Sequence, residues 1–324
     1  MARSLQVLAY APEWREAWDQ HVAESVNGTL FHTRRFLGYH GPEKFADASA
    51  VLLDGTKLVC VVSGAWRVEA DGTRVLVSHP GASYGGPVFR RKASYSLIQD
   101  AVAAWEQHAK SIGAGAIQTR LPPHVFHQVP LQELEFALRF RGFAIVRSEL
   151  TSAATLDGDI AGRFSVNCRN QLRQAERAQL VAGESTDFEQ FWQVLEANLS
   201  EGHGVTPTHT LADIQRLREL CPGAIRLFVA SRDGRILAGT VLFVCNTVAV
   251  HTFYMGSRSE DRPLRPLNLA LHTAMMWARD AGFQRINFGV STPDPATVNS
   301  GLLHFKEGFG GRGELRDSYR KILV

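Results

Sequence analysis

The sequence repeats one order of predicted secondary structure, and this repetition limits the fold more than any single motif does. Two segments, Ala50–Val62 and Leu227–Val241, each consist of two apolar runs joined by an Asp-Gly dipeptide. Asp-Gly between apolar runs is a strong signal for a β-hairpin. A third predicted strand follows each hairpin, at Thr73–Ser78 and at Ala249–Met255. Each half of the chain is therefore expected to contain three consecutive strands.

A long helix is predicted after the third strand of each half. Apolar residues recur at helical spacing from Ile98 to Ile112 and from Leu267 to Ala278. Both patterns end at a glycine, Gly113 and Gly282, as expected at the end of a helix. A strand, a further helical stretch and a last strand follow in each half. The four strands are predicted at Ala116–Thr119, Phe143–Arg147, Arg285–Phe288 and Ser318–Leu323.

This order, in which helices precede three strands, a helix, a strand, a helix and a strand, is typical of acetyltransferase-type folds. We predict an α+β protein with a tandem duplicated GNAT (acyl-CoA N-acyltransferase) fold, with two mixed sheets flanked by helices. The predicted domains are residues 1–152 and 153–324, and the final strand, about 314–324, is expected to pack on the first domain. A generic α+β protein whose halves are similar by accident is the alternative.

Composition favours a globular protein of ordinary polarity. The 324 residues are 45% hydrophobic and 21% charged, and the formal net charge is +3. The first residues lack the apolar core of a signal peptide, and no run of about 18 apolar residues predicts a membrane-spanning helix. Four scattered cysteines without a Cys-x-x-Cys pair indicate reduced thiols. We expect a cytoplasmic protein without a transmembrane segment or a metal site, whose charge permits anionic partners but does not indicate DNA.

Three arginines, Arg169, Arg173 and Arg177, are spaced four residues apart. On a helix they form one basic stripe. The guanidinium group presents a forked donor to phosphate oxygens, so a nucleotide, a diphosphate lipid or a tRNA backbone would suit this stripe. The alternative is an ordinary solvated helix face.

A glycine-containing loop between two predicted helices, Glu201–Thr210, is a second candidate. Its glycines let the backbone approach a ligand, and His203 between them can accept a proton at neutral pH. Glu201 is the other candidate base. Thr210 is predicted to cap the helix that begins at Leu211. The alternative is a flexible connection with a surface histidine.

The third candidate region lies near the C-terminal end of the sequence. The strand that begins at Arg285 ends in a Gly-Val-Ser-Thr sequence, and a short helix then follows Asn299. Lys306 lies near the end of that helix. It either stabilises the helix carbonyls and dipole or, as a functional residue, stabilises an oxyanion or a phosphate.

The turn before the long helix of the second half lacks glycine. Acetyl-CoA-dependent enzymes usually bind the pyrophosphate there through the amides of a glycine-rich turn. The corresponding segment here, Arg262–Leu269, contains two prolines in place of amide donors. Standard coenzyme A binding is therefore not predicted, and the side chains of Arg262 and Arg265 are the candidate phosphate ligands.

These residues resemble the FemAB-like group of GNAT proteins, which includes the Fem-type peptidoglycan-bridge aminoacyltransferases and proteins of capsule and O-antigen gene clusters. The resemblance spans nearly the whole chain. Its strings are Phe31-His32-Thr33, His79–Gly86, His203-Gly204 with Pro207–Thr210, Ala238-Gly239, Phe288–Thr292, and Asn299–Leu302 leading to Phe305–Gly310.

The resemblance implies an enzyme that joins an activated acyl or aminoacyl group to an amine on a cell-envelope glycan or peptide precursor. The acceptor would be a small molecule or a lipid-linked precursor, the donor aminoacyl-tRNA or acyl-CoA, and no cofactor would be tightly bound. It also implies that Phe305 and Lys306 lie at the acyl-transfer site. The alternatives are an acetyl-CoA-dependent N-acetyltransferase of an amino sugar in polysaccharide biosynthesis, and a non-catalytic binding protein of polysaccharide assembly.

The predicted catalytic residues are Lys306, with Phe305 beside it, for the developing charge and His203 or Glu201 for the proton. We expect His203, Tyr254, Ser291 and Lys306 to line one cleft of the second domain, and replacement of Lys306 to lower kcat with little change in fold. The predicted substrate-binding residues are Arg169, Arg173, Tyr254, Arg262, Arg265, Ser291, Thr292, Asn299 and Tyr84.

Overall fold

A computed structural model describes residues 4–41, 43–203, 206–294 and 296–323, without the side chain of His203. The helices are α1 (Arg15–Ala23), α2 (Arg34–Leu37), α3 (Tyr95–Ser111), α4 (Gln132–Phe140), α5 (Val166–Arg177), α6 (Phe188–His203), α7 (Leu211–Leu220), α8 (Pro266–Asp280) and α9 (Ser300–Gly308).

The strands of the first half are β1 (Gln6–Ala9), β2 (Ala50–Asp54), β3 (Lys57–Ser63), β4 (Ala65–Val68), β5 (Arg74–Val77), β6 (Gly86–Phe89), β7 (Ala116–Arg120) and β8 (Ala144–Thr155). Those of the second half are β9 (Val181–Ser185), β10 (Ile225–Arg232), β11 (Arg235–Val244), β12 (Ala249–Ser257), β13 (Arg285–Val290) and β14 (Arg312–Ile322). No helix in the part of the chain that the structure describes is both long and apolar enough to span a membrane.

The chain forms two compact units. The first consists of Met1–Glu149 with Leu315–Val324, and the second consists of Leu150–Glu314. The unit boundaries therefore fall within β8 and within β14.

The first unit contains two groups of strands. Strands β1, β2, β3 and β6 form an antiparallel sheet in that order. Strand β4 pairs with β5, β5 runs parallel to β7, and the last residues of β14 pair antiparallel with β7. A shared core of buried residues, including Ile98 and Trp105 of α3 and Leu138 of α4, covers these strands. Burial of such apolar side chains contributes most of the stability of the unit.

The first half departs from the predicted three strands because β1, β4 and β6 are additional. The predicted third strand, β5, pairs with β4 and β7 and not with β3. Strand β6 contains Pro87, and proline has no N–H for strand pairing. Pro87 is tolerated because β6 lies at the edge of its sheet. There the side chain of Asn27 donates to the Pro87 carbonyl oxygen and accepts from the Phe89 N–H, at 2.9 Å each.

The second unit has one mixed sheet. Its order is β8, β13, β12, β11, β10 and β9, and the β12–β13 pair is parallel while the others are antiparallel. Helix α8 packs on this sheet, and the core includes Leu271 and Met275 of α8 with Phe228 and Phe288 of the sheet. The parallel pair is the feature that positions the candidate site.

One local prediction for the second half, the cap at Thr210, is confirmed. Nearby, the apolar residues Phe164, Leu172 and Ala175 are buried, within or just before α5. Thr210 caps α7, because its hydroxyl accepts from the Asp213 N–H while the Asp213 carboxylate accepts from the Thr210 N–H. Such a reciprocal cap satisfies two of the backbone donors at a helix start.

The segment after Leu150 is polar in sequence but belongs to a strand. It continues β8 to Thr155, and Thr151 and Ser152 are fully buried there. The strand forms because Thr155, Ala154 and Ala153 pair with β13. Hydroxyl groups can be buried at such positions when they find hydrogen-bond partners, as Thr151 does with Asn287.

Gly239 in β11 provides a test of this packing. A Cβ at this position would lie 2.7 Å from the Phe191 ring of α6 and 3.0 Å from the Phe228 carbonyl oxygen. Gly239→Ala should lower the free energy of unfolding by about 1–3 kcal/mol through overpacking. Gly183→Ala in β9 is the matched control, because a Cβ there meets no atom within 4 Å. Urea unfolding of both variants measures the difference, and equal midpoints would contradict the close approach of α6.

Candidate active site

The parallel strands β12 and β13 diverge after three residue pairs. The pairs are Ala249–Arg285, Val250–Ile286 and His251–Asn287. Beyond them β12 continues to Ser257 with β11 on one edge, while no strand in the described part of the chain pairs with its other edge. The two strands therefore form a fork, and backbone N–H groups of β12 on the unpaired edge face into it.

The side chain of Asn287 binds the backbone at the point where β13 separates from β12. Its Oδ1 accepts from the Gly289 N–H at 2.8 Å, and its Nδ2 donates to the Thr151 hydroxyl at 2.9 Å. Gly289 has φ of +74°, a backbone conformation that glycine adopts at little cost. The N–H of Gly289 is thereby satisfied within β13, and the chain turns away from β12.

The side chains of β12 close the base of the fork. Thr252 donates from its hydroxyl to the Asn287 carbonyl oxygen at 3.4 Å, and Nδ1 of His251 lies 3.3 Å from the same oxygen. Both residues are buried. A Cβ on Gly289 would lie 3.4 Å from His251 Cε1, so the imidazole ring and the turn are adjacent. The base of the fork is therefore built from polar groups.

Lys306 secures the far end of β13. Its side chain is 1% exposed, and Nζ lies 2.8 Å from the Gly289 carbonyl oxygen, 2.7 Å from that of Val290 and 2.9 Å from Ser291 Oγ. Lys306 is thus not a cation that only caps its own helix. The structure brings Lys306 and Ser291 together, as predicted, but direct contact of Nζ with an oxyanion would require one of these three bonds to open.

Burial lowers the pKa of Lys306 to about 7. Both protonation states fit the three contacts. The ammonium form donates to all three oxygens, whereas the neutral amine donates to the two carbonyl oxygens and accepts from the Ser291 hydroxyl. The proton can therefore leave Lys306 near neutral pH without loss of a hydrogen-bond contact.

Helix α9 is attached to the same point. The Asn299 side chain caps it by accepting from the Leu302 N–H at 2.9 Å, and the Asn299 N–H donates to the Ser291 carbonyl oxygen at 2.7 Å. Phe305 is half-buried and packs against Phe309, with ring centroids 5.2 Å apart. The side chain of Asn299, predicted to bind substrate, is thus used in the cap.

A row of aromatic and imidazole rings leads away from the fork along β12. Phe253 lies 5.7 Å from His251 and 5.2 Å from His209, measured between ring centroids. Tyr254 Oη accepts from the His209 N–H at 3.0 Å and lies 2.8 Å from His209 Nδ1. Burial raises the pKa of Tyr254 to about 12, so the phenol is neutral at physiological pH. Tyr254 therefore fixes the loop before α7.

The other predicted residues of the second unit lie in several places. Glu201 accepts from the Ser259 hydroxyl, and the side chain of His203 lies outside the described residues. Thr292 Oγ1 is buried with no hydrogen-bond partner in the part of the chain that the structure describes. Convergence of His203 with Lys306 thus stays a prediction.

The arginine stripe of α5 is divided. Arg169 is half-buried and donates to the Phe164 carbonyl oxygen, which lies just before its own helix. Arg173 and Arg177 are exposed, and Arg173 donates to Asn170 at 3.2 Å. A continuous phosphate clamp would therefore require Arg169 to change its contact.

The turn before α8 retains both predicted arginines. Arg262 donates to Asn198 at 3.2 Å, and Gln174 donates to the Pro263 carbonyl oxygen at 2.7 Å. Arg265 has φ of +59° and directly precedes Pro266, the first residue of α8. Because Pro266 has no N–H, side chains carry the anion-binding capacity of this helix start.

Sequence reasoning missed His251, Thr252, His209 and Asn287. The only indication of these residues in the sequence is that each is polar within or beside an apolar strand. A polar residue in such a place can equally be a core residue whose polar atoms are hydrogen-bonded, and a single sequence does not separate the two cases. Asn287 carried a clearer signal, because Asn-x-Gly at a strand end is typical of a turn in which the Asn side chain accepts from a nearby N–H. The cysteines carry no comparable signal, because all four are buried thiols.

Comparisons with known proteins agree with this geometry. Residues 162–306 match the family model described as an acetyltransferase (GNAT) domain. The structure of FemX aligns with a TM-score of 0.75 at 15% identity, over 98% of this chain and 97% of that one. L-PGS from Bacillus licheniformis aligns with a TM-score of 0.56 at 14% identity, over 95% and 91%. No curated protein sequence matches this chain.

A tandem GNAT protein from the clavulanic acid biosynthesis pathway aligns with a TM-score of 0.53 at 12% identity, over 99% of both chains. At such identities the likeness establishes the fold. The protein therefore has the tandem GNAT fold, and the predicted fold class is confirmed. FemX shares this fold, and residues 162–306 of the second half match the GNAT domain model.

Replacement of Lys306 tests its structural role. Lys306→Met should lower the free energy of unfolding by about 1–3 kcal/mol, because it leaves the carbonyl oxygens of Gly289 and Val290 without a donor. The sequence alone, by contrast, predicted little change in fold. Lys57→Met, at an exposed position of β3, is the control and should be nearly neutral. Chemical denaturation measures both, and an equally neutral Lys306→Met would contradict the role of Lys306 in holding β13.

The pH dependence of stability tests the protonation of Lys306. Its pKa is about 7 in the folded protein and about 10.4 in an unfolded chain, so between these values only the unfolded chain binds the proton. The free energy of unfolding of the wild type should therefore rise with pH across this window, by up to about 1.4 kcal/mol per pH unit, relative to Lys306→Met. A constant difference between the two proteins from pH 7 to 10 would show that Lys306 stays charged.

Proposed function

We propose that this protein is a cytoplasmic acyltransferase that forms an amide between an activated acyl or aminoacyl group and an amine. The observation that carries the proposal is the fork between β12 and β13, which Asn287 and Lys306 hold open within a GNAT domain. A carbonyl oxygen placed in the fork would meet backbone N–H groups of β12 that have no strand partner. Fixed N–H donors stabilise the negative charge that develops when an amine attacks an acyl carbon.

Lys306 acts in this proposal as a positioning residue. Its Nζ contacts the backbone of β13, so its contribution is the geometry of the fork. The attacking amine must also lose a proton, for which we propose Glu201 or His203. Both residues lie at the end of α6, and Glu201 must exchange its contact with Ser259 to act as the base.

We propose that the phosphates of the donor lie at Arg262 and Arg265, before α8. Guanidinium groups suit either the backbone of an aminoacyl-tRNA or the phosphates of an acyl-CoA. Pro266 removes one of the amides that would bind a pyrophosphate, which favours aminoacyl-tRNA. The proposed acceptor is an amine of a cell-envelope glycan or peptide precursor, in line with the resemblance of the sequence to Fem-type enzymes.

An acetyl-CoA-dependent N-acetyltransferase of an amino sugar is the second candidate. The match of residues 162–306 to an acetyltransferase domain favours it. Purified protein should be incubated with labelled acetyl-CoA or labelled aminoacyl-tRNA, each with amino sugars and peptide amines. A labelled amide identifies the donor and acceptor. No amide with any donor, together with tight glycan binding, would support a binding protein instead.

Arg265 provides a test of the donor site. Arg265→Gln should raise the KM of the donor about 10-fold or more, as expected when a charged hydrogen bond to phosphate is lost. Arg279→Gln is the matched control, because it removes the same charge from the other end of α8, where Arg279 pairs with Asp280. Steady-state kinetics with the active donor measure the KM of both variants. An equal change in both variants would remove Arg265 from the donor site.

A further inference from the structure

The three aromatic residues that are exposed in the described part of the chain lie together in the first unit. Tyr95 is the first residue of α3, and Phe136 and Phe140 lie one turn apart on α4. They are 37%, 57% and 65% exposed, respectively. The ring centroid of Phe136 lies 5.7 Å from that of Tyr95 and 6.0 Å from that of Phe140. We call these three residues the aromatic ridge.

The core of the first unit does not account for the aromatic ridge. Helix α4 contributes Leu134, Ala137 and Leu138 to that core, and all three are buried. Phe136 and Phe140 lie outside this buried stripe. An exposed phenyl ring forgoes the free energy that its burial would supply, and adjoining exposed rings are typical of a surface that another body covers.

A pocket lies on another side of the first turn of α3. Leu97 lines this pocket, whereas Tyr95 belongs to the aromatic ridge, and side chains two residues apart point to different sides of a helix. The pocket has a volume of about 320 Å³. Its charged lining residues are Lys57, Arg90, Arg91, Lys92 and Glu24. We call it the cationic pocket, and the start of α3 separates it from the aromatic ridge.

Most of the positive charge in the cationic pocket has no counterion. Arg90 Nη2 lies 3.0 Å from Glu24 Oε2. Lys57, Arg91 and Lys92 are exposed and form no ion pair with any described residue. Arg90 Nε is buried without a hydrogen-bond partner among the same residues. Four cations therefore share one carboxylate, and a buried donor lacks an acceptor.

The start of α3 adds to this positive charge. The helix has 17 residues, and the Ser94 hydroxyl caps it by accepting from the Leu97 N–H at 3.2 Å. The amides of a first helical turn carry partial positive charge. No acidic residue lies in the first turn of α3 to offset it. The surface between the pocket and the ridge therefore also favours an anion.

This combination of rings and cations fits the surface of an anionic bilayer. Aromatic rings are favoured at the depth of the lipid headgroups, and basic side chains gain from the negative potential of anionic lipids. The ridge itself is close to neutral, because the exposed residues beside it include both Glu133 and Arg139. The excess charge thus lies beside the rings, where it can contact headgroups while the rings enter the interface.

We propose that the aromatic ridge and the cationic pocket bind the first unit to the surface of a membrane that contains anionic phospholipids. The rings of Phe136 and Phe140 enter the headgroup region, and the cations of the pocket contact lipid phosphates. This inference goes beyond the proposed function. The surface does not include Tyr84, whose ring is buried against Phe31 and Phe126 at centroid distances of 5.3 and 5.2 Å.

The first experiment measures sedimentation of the purified protein with vesicles. The wild type should bind vesicles of equal parts phosphatidylcholine and phosphatidylglycerol but not phosphatidylcholine alone, and salt should weaken binding. The double variant Arg91→Gln/Lys92→Gln should bind about 10-fold or more weakly. Arg216→Gln/Arg232→Gln is the control, because it removes the same charge from exposed positions of the second unit. No binding by the wild type, or an equal loss in both variants, would overturn the proposal.

A second pair of variants tests the rings. Phe136→Ser/Phe140→Ser should weaken binding to the mixed vesicles about 10-fold or more, because two rings no longer enter the interface. Val68→Ser/Val181→Ser is the control, since these valines are 65% and 70% exposed and lie outside the ridge. All four positions are exposed, so both variants should keep the thermal midpoint of the wild type. Unchanged vesicle binding by the phenylalanine variant would remove the ridge from the membrane contact.

A second copy of this chain is the alternative occupant of the ridge. Sedimentation velocity without lipid distinguishes it: a wild-type dimer that Phe136→Ser/Phe140→Ser converts to a monomer would assign the ridge to self-association and overturn the lipid proposal. A monomeric wild type that binds the mixed vesicles supports it.

None of these measurements includes an acyl donor. A protein that forms amides but does not bind vesicles would retain the proposed function and lose this inference. A protein that binds vesicles through the ridge and the pocket but forms no amide would retain the membrane surface and lose the acyltransferase function.

Discussion

The structure of the second unit depends on how the backbone of β13 is satisfied where it leaves β12. Asn287 accepts from the N–H of Gly289, and Lys306 contacts the carbonyl oxygens of Gly289 and Val290. A buried backbone group without a partner costs about 1–3 kcal/mol, so these side chains replace the hydrogen bonds that a continued parallel pair would have made. The opening of the sheet is therefore a stable feature of the fold, and it creates the unpaired edge of β12.

The two units contain positive groups of different kinds, a buried lysine in the second and half-buried arginines in the first. Lys306 can lose its proton near neutral pH, and its contacts are satisfied in either state. Arginine retains its charge under such conditions, so Arg147 and Arg316 need the buried carboxylate of Glu149, to which both donate. This difference separates a side chain that shapes the backbone in either protonation state from side chains that need a permanent counterion.

The order of elements could be predicted because hydrophobic periodicity depends on local geometry. The stripes of α3 and α8, the Asp-Gly turns and the Thr210 cap are all determined within a few residues. Strands β4 and β6 were missed because their pairing is non-local: Pro87 is acceptable only at a sheet edge, and Asn27 supplies its hydrogen bonds from far along the chain. The local strand propensity of a sequence does not show which strand will lie at a sheet edge or which distant side chain will bind it.

The sequence by itself determined the tandem order of strands and helices and the polar turn at the end of β13, and it singled out Lys306 as a candidate site residue. Only the tertiary structure decided what Lys306 contacts, because its partners lie 15 to 17 residues away and are reached by burial of the whole side chain. The same holds for Arg120, Arg147 and Arg316. They are distant in sequence and share a charge environment only because three strands place them on one face, around a single carboxylate.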